Sequence, residues 1–535
     1  MAAAALFSPR PLAGQRVVTS AGWQEATVGS ELERYLRILQ LAGKSPVYPW
    51  SVRGFSPREI DGLAPRDSLH PWAARLGGGA PDSTQGLRVA ILRPEVHLTF
   101  NSAFPWAEND GVVWAGRGLT SAIQAGVQAR YGPLTLTLRP IAFRAENDAF
   151  PLMPNGLTGD RRFANGVAPG KIDLPQRFGS GPYERIDFGQ SSLALDLYGV
   201  ALGVSTGSEI WGPAFDQSLV LGAGAPGFTH AFIGTVAPVN VGVGHLHGRL
   251  IVGRLEQSAY SPAPSGLGSR LAAGLVATFS PRWTPGLELG LTRFFHQRWP
   301  TGGLLLSDFL IPLRGFFLKN SAQKYNPSDP NYTPQNQIAS VFSRWAFPSS
   351  GLEIYGEYAR DDRNANTRDL LSEPDHISAY TIGLVKLLRR SARSYSVVRA
   401  ELANGRVTDL ARLRPESGFY VHAPIDQGHT NRGQLLGSPA VALGGDGATI
   451  GLDVYQTDGR WTLEGTRMAR PLDIYAEGAA SGRGWDVSYA LKAERLLFLQ
   501  GWEITAAVTG VFDLNRNFSH DAFDLRLDVG SRFGF

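Results

Sequence analysis

One stretch of the chain crowds together residue types suited to sugar recognition: Phe419, Tyr420, His422, Asp426, His429, Asn431 and Arg432. Aromatic rings offer flat apolar faces to the CH-rich side of a sugar, while Arg, Asn and Asp reach hydroxyls and carboxylates. Arg177, Arg185 and Tyr332 carry the same chemistry elsewhere in the sequence. The competing reading is that such residues pack a loop or fold into an interior. Spacing alone does not choose between the two.

Other constellations say less. Gly222, Gly224 and Gly227 satisfy G-x-G-x-x-G, but Pro226 interrupts the segment and no helical pattern follows, so a dinucleotide site is not expected. Asp362, Asn364, Asn366 and Glu373 stand at calcium-loop positions, yet Thr367 replaces the glycine of the sharp turn, which favours a solvated loop between strands. His245 and His247 share one strand face with no carboxylate or Cys nearby in sequence, so a partnered pair is expected in place of a metal site. No Ser lies in G-x-S-x-G or another nucleophile setting. These residues point to binding without catalysis, cofactor or metal.

The elements that position them follow from pattern. Gly is abundant at 63 residues, aromatics reach 10%, charged residues are 18% and Cys is absent from the 535. Turn formers and aromatics with few charges suit a many-stranded all-β protein, and zero Cys excludes thiolate chemistry and disulfides. A net charge of +4 on this length gives no reason to expect nucleic acid. No window is apolar for the ~18 residues that a spanning helix needs, which leaves a soluble protein or a β-barrel.

Near the start, Ser30 with Glu33 forms a capping box before Leu32, Tyr35, Leu36 and Leu39, and Gly43 ends that helix. Ser56, Pro57 and Glu59 open a second helix, and Pro71 to Leu76 a third, with Gly77 to Gly86 as linker. Three short helices bury little alone, so they are expected to pack on the end of a larger unit. The stretch Met1 to Gln15 has only Ala2 to Phe7 as an apolar run and no basic region, so an export leader is expected to be missing from the recorded start.

From about Leu87 the period becomes two. Phe523, Leu525, Leu527, Val529, Phe533 and Phe535 share one face while Asp524, Arg526, Asp528 and Arg532 share the other. Reading back from the end gives strands near 523–535, 502–513, 484–495, 460–469, 447–457, 394–404, 377–388, 352–361 and 337–347. Upstream they continue near 287–298, 270–280, 243–254, 228–237, 200–210, 189–198, 133–143, 119–131 and 88–100. Tight links such as 348–351 alternate with long ones such as 405–446, as an outer-membrane barrel with short periplasmic turns requires. The expected fold is all-β: a closed antiparallel transmembrane β-barrel of about 18 strands, residues 87–535, preceded by a short N-terminal periplasmic helical region and linker, residues 1–86. Glu353, Glu357, Arg399 and Glu401 alternate with apolar neighbours, and opposite charges facing inward favour a filled lumen over a wide pore.

Asp528, Gly530, Phe533 and Phe535 match the polar-x-Gly-x-x-apolar-x-aromatic ending by which outer-membrane barrels are recognised for assembly. Three further segments resemble the Wzi family of capsule assembly proteins. They are Trp211-Gly212-Pro213 with the small, Pro-containing stretch to Phe228; Ile354 to Asp362, which includes Glu357 and ends Asp361-Asp362; and Tyr420-Val421-His422 with Gly428 to Gly433 and Leu436-Gly437. An Ala-Gly-Ala stretch stands where relatives tend to carry Asn, which leaves the glycan open. The resemblance covers nearly the whole chain. It implies an 18-stranded barrel in the bacterial outer membrane that attaches or organises capsular polysaccharide, is no enzyme, and has that polysaccharide, outer-membrane lipid and the barrel assembly machinery as partners. The alternative on the residues is a porin-like transport channel, since a barrel of this size can enclose water.

Overall fold

A computed structural model describes residues 17–18, 25–65, 68–76, 86–106, 110–263, 268–300, 302–313, 335–361, 367–407, 417–421, 425–471 and 484–533. The sequence readings for Met1 to Gln15, most of the Gly77 to Gly86 linker, Tyr332, Asp362, Asn364, Asn366, His422 and Phe535 fall outside them.

Strands named in chain order are β1 Leu87–Asn101, β2 Gly118–Tyr131, β3 Leu134–Leu138 with Ile141–Ala145, β4 Tyr183–Asp187 with Ser192–Leu197, β5 Val200–Ser205, and β6 His230–Thr235 with Val239–Asn240. They continue as β7 Gly244–Glu256, β8 Ser269–Pro281, β9 Leu287–Arg298, β10 Gln335–Phe347, β11 Leu352–Asp361 and β12 Ser378–Arg390. The remainder are β13 Ser394–Asn404, β14 Asp446–Gln456, β15 Gly459–Pro471, β16 Trp485–Leu499, β17 Trp502–Arg516 and β18 His520–Phe533. Each pairs antiparallel with its neighbours, and β18 returns to β1 through Arg526↔Asn101 to Arg532↔Glu95. The ring is therefore a closed 18-stranded barrel, as the alternation required.

Period two has a physical cause here. Ile354, Ile382, Ile450, Leu463, Leu491 and Val529 face outward and exposed, while Glu353, Glu357, Thr381, Arg399, Glu401 and Asp453 face inward and buried. Lipid accepts the first set, and the second must find partners because a lone buried charge is costly. Arg399 bridges Asp216, Asp453 and Glu464, and Arg37 with Arg344 grips Glu353. Each of these guanidiniums is answered by a carboxylate on a nearby strand or on the inward loop.

The lumen is filled from both ends. Helices α1 Glu31–Leu41, α2 Pro57–Leu63 and α3 Ala73–Leu76 form the expected head. Ser30 caps α1 through the Glu33 amide, but the Glu33 carboxylate turns to the Gly29 amide, so only half of that capping box forms; the Ser56–Glu59 box is complete. The head sits inside the mouth with the short turns. Trp72 Nε1 donates to the carbonyls of Gln456 (3.0 Å) and Gly459 (3.2 Å), Arg75 Nε reaches Glu503 at 2.9 Å, and Glu288 accepts from the Trp50 and Ser51 amides at 2.9 and 3.0 Å. Leu36, Leu39, Trp50, Ile60 and Trp72 pack with inward-facing Tyr355, Val385 and Val397 in one apolar cluster. Two helices in outer loops, α4 Leu306–Phe309 and α5 Thr367–Ser372, were not expected. The second lies within the calcium-like stretch, inside the long link that the sequence reading placed between strands; those flanking strands are β11 and β12.

Candidate functional site

The loop between β13 and β14 turns inward and meets the loop between β5 and β6 in mid-lumen. Tyr420 is fully buried; its hydroxyl donates to the Leu219 carbonyl at 2.6 Å and accepts from the Ser438 amide at 2.9 Å. His429, equally buried, lies parallel to it with ring centroids 5.1 Å apart, and its Nε2 donates to the Val220 carbonyl at 2.6 Å. Burial pushes the Tyr420 hydroxyl pKa well up and pulls His429 down to about 4, so the imidazole stays neutral at ordinary pH. Asn431 is buried too, donating to Pro226 O at 3.1 Å and accepting from the Glu256 amide at 2.9 Å.

These positions correct part of the sequence reading. A ring with no exposed face cannot stack on a sugar and a buried, hydrogen-bonded amide cannot reach its hydroxyls, so Tyr420, His429 and Asn431 are packing residues. Arg177 is likewise buried, with its guanidinium spent on Asn147 Oδ1 and the Asn147 and Ser180 carbonyls. Arg432 keeps partial exposure but is forked between Asp187 (2.5 Å) and Glu256 (2.6 Å), and Arg185 lies 3.8 Å from the same Asp187. Asp426 is half-buried near Arg298, with its carboxyl pKa raised by burial.

The other quoted motifs converge on the same layer. Trp211 is buried edge-on to Phe294, and the Gly212 amide donates to Ser51 O at 2.9 Å. Pro213 O accepts from Arg37 at 2.7 Å. Gly212 has φ +90°, and a Cβ there would lie 2.5 Å from Glu357 Oε2. Asp361 accepts from the Tyr420 amide at 2.9 Å. These segments thus hold an outer half-plug onto the helical head. At the seam, Gly530 sits opposite His97, and Phe533 packs on Trp502 with centroids 5.2 Å apart. His247 rests on Thr235 (2.7 Å) and faces Glu59 (3.5 Å). Among the described residues no cluster of three or more His, Asp or Glu could hold a metal.

Above the plug, open to the outer mouth, lies a cleft of about 290 Å³. Five loops and two strand ends line it, with Trp114, Gln434, Arg470, Asp486, Asn517 and Phe518 among its side chains. Arg470 is half exposed and pairs with buried Asp486 at 3.1 Å, and Gln434 Nε2 donates to Gly111 O at 2.9 Å. The volume is near the lower edge of the ~300–1,000 Å³ typical of small-molecule sites. An apolar floor with amide and guanidinium groups around it suits a polar, ring-shaped ligand. The loop that composition singled out lines it over residues 433–443, with Gln434 as its polar side chain; Trp114, Arg470, Asp486, Asn517 and Phe518 are spread across the chain and carry no local signal. Below, cavities of about 190 and 340 Å³ run beside the head, sharing Arg34 and Lys492 as walls.

Comparison with known proteins gives a consistent placement. The family described as Capsule assembly protein Wzi matches residues 104–455. None of the curated proteins matches the chain in sequence. Among solved structures, Wzi of Escherichia coli, described as a carbohydrate-binding β-barrel of the outer membrane involved in group 1 capsule assembly, superposes with a TM-score of 0.61 at 13% identity, covering 95% of this chain and 99% of that one. Pseudomonas aeruginosa OpdQ (TM-score 0.40, 9% identity, 83% and 98% covered) and OprD (0.37, 12%, 83% and 93%) match more loosely.

Proposed function

This chain belongs to the Wzi family of capsule assembly proteins, and from that premise we propose that it is a lectin-like outer-membrane protein that holds capsular polysaccharide at the cell surface. The outer cleft is the observation that carries this reading: the barrel is filled, and the polar-rimmed cavity above the plug opens to the side where a capsule lies. Arg470 can fork onto a uronic carboxylate, Gln434 and Asn517 can serve hydroxyls, and Trp114 forms part of an apolar floor. One shallow contact per protein suffices when many copies grip one repeating polymer, because effective concentration multiplies weak binding.

Arg185, Asp426 and Arg432 are proposed as rim contacts, and His422 and Tyr332 remain candidates by residue type. The role is binding, not turnover. Residues 1–86 are assigned as a helical segment and linker at the periplasmic end, and 87–535 as the barrel. Outer-membrane lipid around the apolar belt and the barrel assembly machinery, through Gly530, Phe533 and Phe535, are the further partners. A porin-like channel is disfavoured because the head and two inward loops occupy the lumen.

The test compares cell-bound with released capsule in strains carrying Arg470→Gln with Gln434→Ala, at matched amounts of folded barrel. Most polymer should move to the medium. Unchanged cell-bound capsule would overturn the assignment of the cleft.

A further inference from the structure

Residues 302–313, in the loop between β9 and β10, do not rise into the medium. They fold back over the outside of the barrel. Phe309 and Ile311 pack on Val252, Leu271, Ala273 and Phe295. Those four point away from the lumen, since their chain neighbours Ile251, Ala272 and Phe294 belong to the lumenal core. Outward-facing Val341 is 60% exposed, but Phe295 under this lobe is 1% exposed. Arg293 also faces outward, and the lobe covers it: its guanidinium donates to Pro312 O at 2.8 Å and to Gln337 Oε1 at 2.6 Å.

The far side of the lobe is apolar. Leu304, Leu305, Leu306, Leu310 and Leu313 are all exposed, Leu306 by 82%. The single charged side chain in 302–313, Asp308, turns inward and accepts from the Leu305 amide at 2.9 Å. Five bare leucines, with Asp308 tucked beneath them and Ser307 the one exposed polar side chain among them, form a largely apolar surface that water solvates poorly. The patch they cover begins a few residues from the outer strand ends, roughly 10 Å below the rim at ~3.3 Å per residue. Trp299 edges the same cluster, with the Arg254 guanidinium 5.6 Å over its ring, a pairing suited to headgroup level.

We propose that this lobe is a membrane-seated collar, its leucines lying among the acyl chains of the outer leaflet. Continuity with the lipid-facing wall names the occupant: the leucines extend the apolar surface that lipid already covers. The collar shields Arg293 from hydrocarbon and widens the barrel on one side of its outer rim.

Because the chain has no Cys, single-cysteine labelling reports it directly. Leu306→Cys, with Ile382→Cys on the lipid face and Asp375→Cys in an exposed loop as references, would carry an environment-sensitive fluorophore on the full chain in phospholipid vesicles. Quenching by spin-labelled acyl chains should match the Ile382 label within about twofold, and iodide should quench about fivefold less than at Asp375. Iodide access equal to that at Asp375 would put the lobe in water and overturn the proposal. A label shielded from both quenchers, with crosslinked dimers, would assign the face to a second copy and overturn it equally.

Discussion

Replacing Gly212 by Ala tests whether the Trp211-Gly212-Pro213 segment is an internal clasp. The backbone there has φ +90°, where an L-residue costs about 1–2 kcal/mol relative to glycine. The new Cβ would also lie 2.5 Å from Glu357 Oε2, on a carboxylate 3% exposed. Forcing that carboxylate aside in a packed interior adds about 1–3 kcal/mol. Gly212→Ala should therefore destabilise the folded protein by about 2–5 kcal/mol. Urea unfolding in lipid vesicles, followed by fluorescence of the 12 tryptophans, measures the loss. Glu357→Ala in the Gly212→Ala background should cost less than in the parent, with a coupling of about 1–2 kcal/mol, because the clash goes with the carboxylate. A Gly212→Ala protein within about 0.5 kcal/mol of the parent, with no coupling, would refute the clasp.

Three further outcomes follow from the same packing. Glu353→Ala strands two guanidiniums, Arg37 and Arg344, each 1% exposed, and should cost about 3–5 kcal/mol in the same assay, part of it recovered by adding Arg37→Met. His429 is held near pKa 4 in the fold against a usual 6.5, so as pH falls the unfolded chain takes up the proton first; stability should drop between pH 6.5 and 4 by about 3 kcal/mol relative to His429→Asn. Deleting residues 25–76 should turn the filled barrel into one that passes large, steady current steps in a planar bilayer; absence of such steps would mean that the inward loops seal it alone.

Strand positions were legible because one side of every strand answers to lipid and the other to charge. The reading 447–457 falls on β14 Asp446–Gln456, and 394–404 on β13 Ser394–Asn404. Where the pattern broke, the reading failed: 133–143 ran through Arg139–Pro140, where Pro lacks a ladder amide and β3 splits, and 189–198 missed the Tyr183–Asp187 half of β4. Composition could locate an important loop but not its direction. Tyr420, His429 and Asn431 satisfy their polar groups against Leu219, Val220 and Pro226, and a buried cluster doing this has the same residue types as an exposed sugar site. The cleft escaped because Trp114, Arg470 and Asn517 become neighbours only when the ring closes.

The helical head, seated in the mouth with the short turns, is tied to strands that lie far apart in the sequence. Trp72 is bonded to backbone on both sides of the β14–β15 turn, Arg37 to β11 and Glu288 on β9 to the head's own backbone, while β18 is already joined to β1 around the circumference. Its bonds to β9, β11 and β14 exist only when those strands are curved around it, so the head reads the curvature of the wall at three separate points. The head thus acts as an internal brace: a strand that shifted its register would lose its tie to the helices as well as to its neighbours.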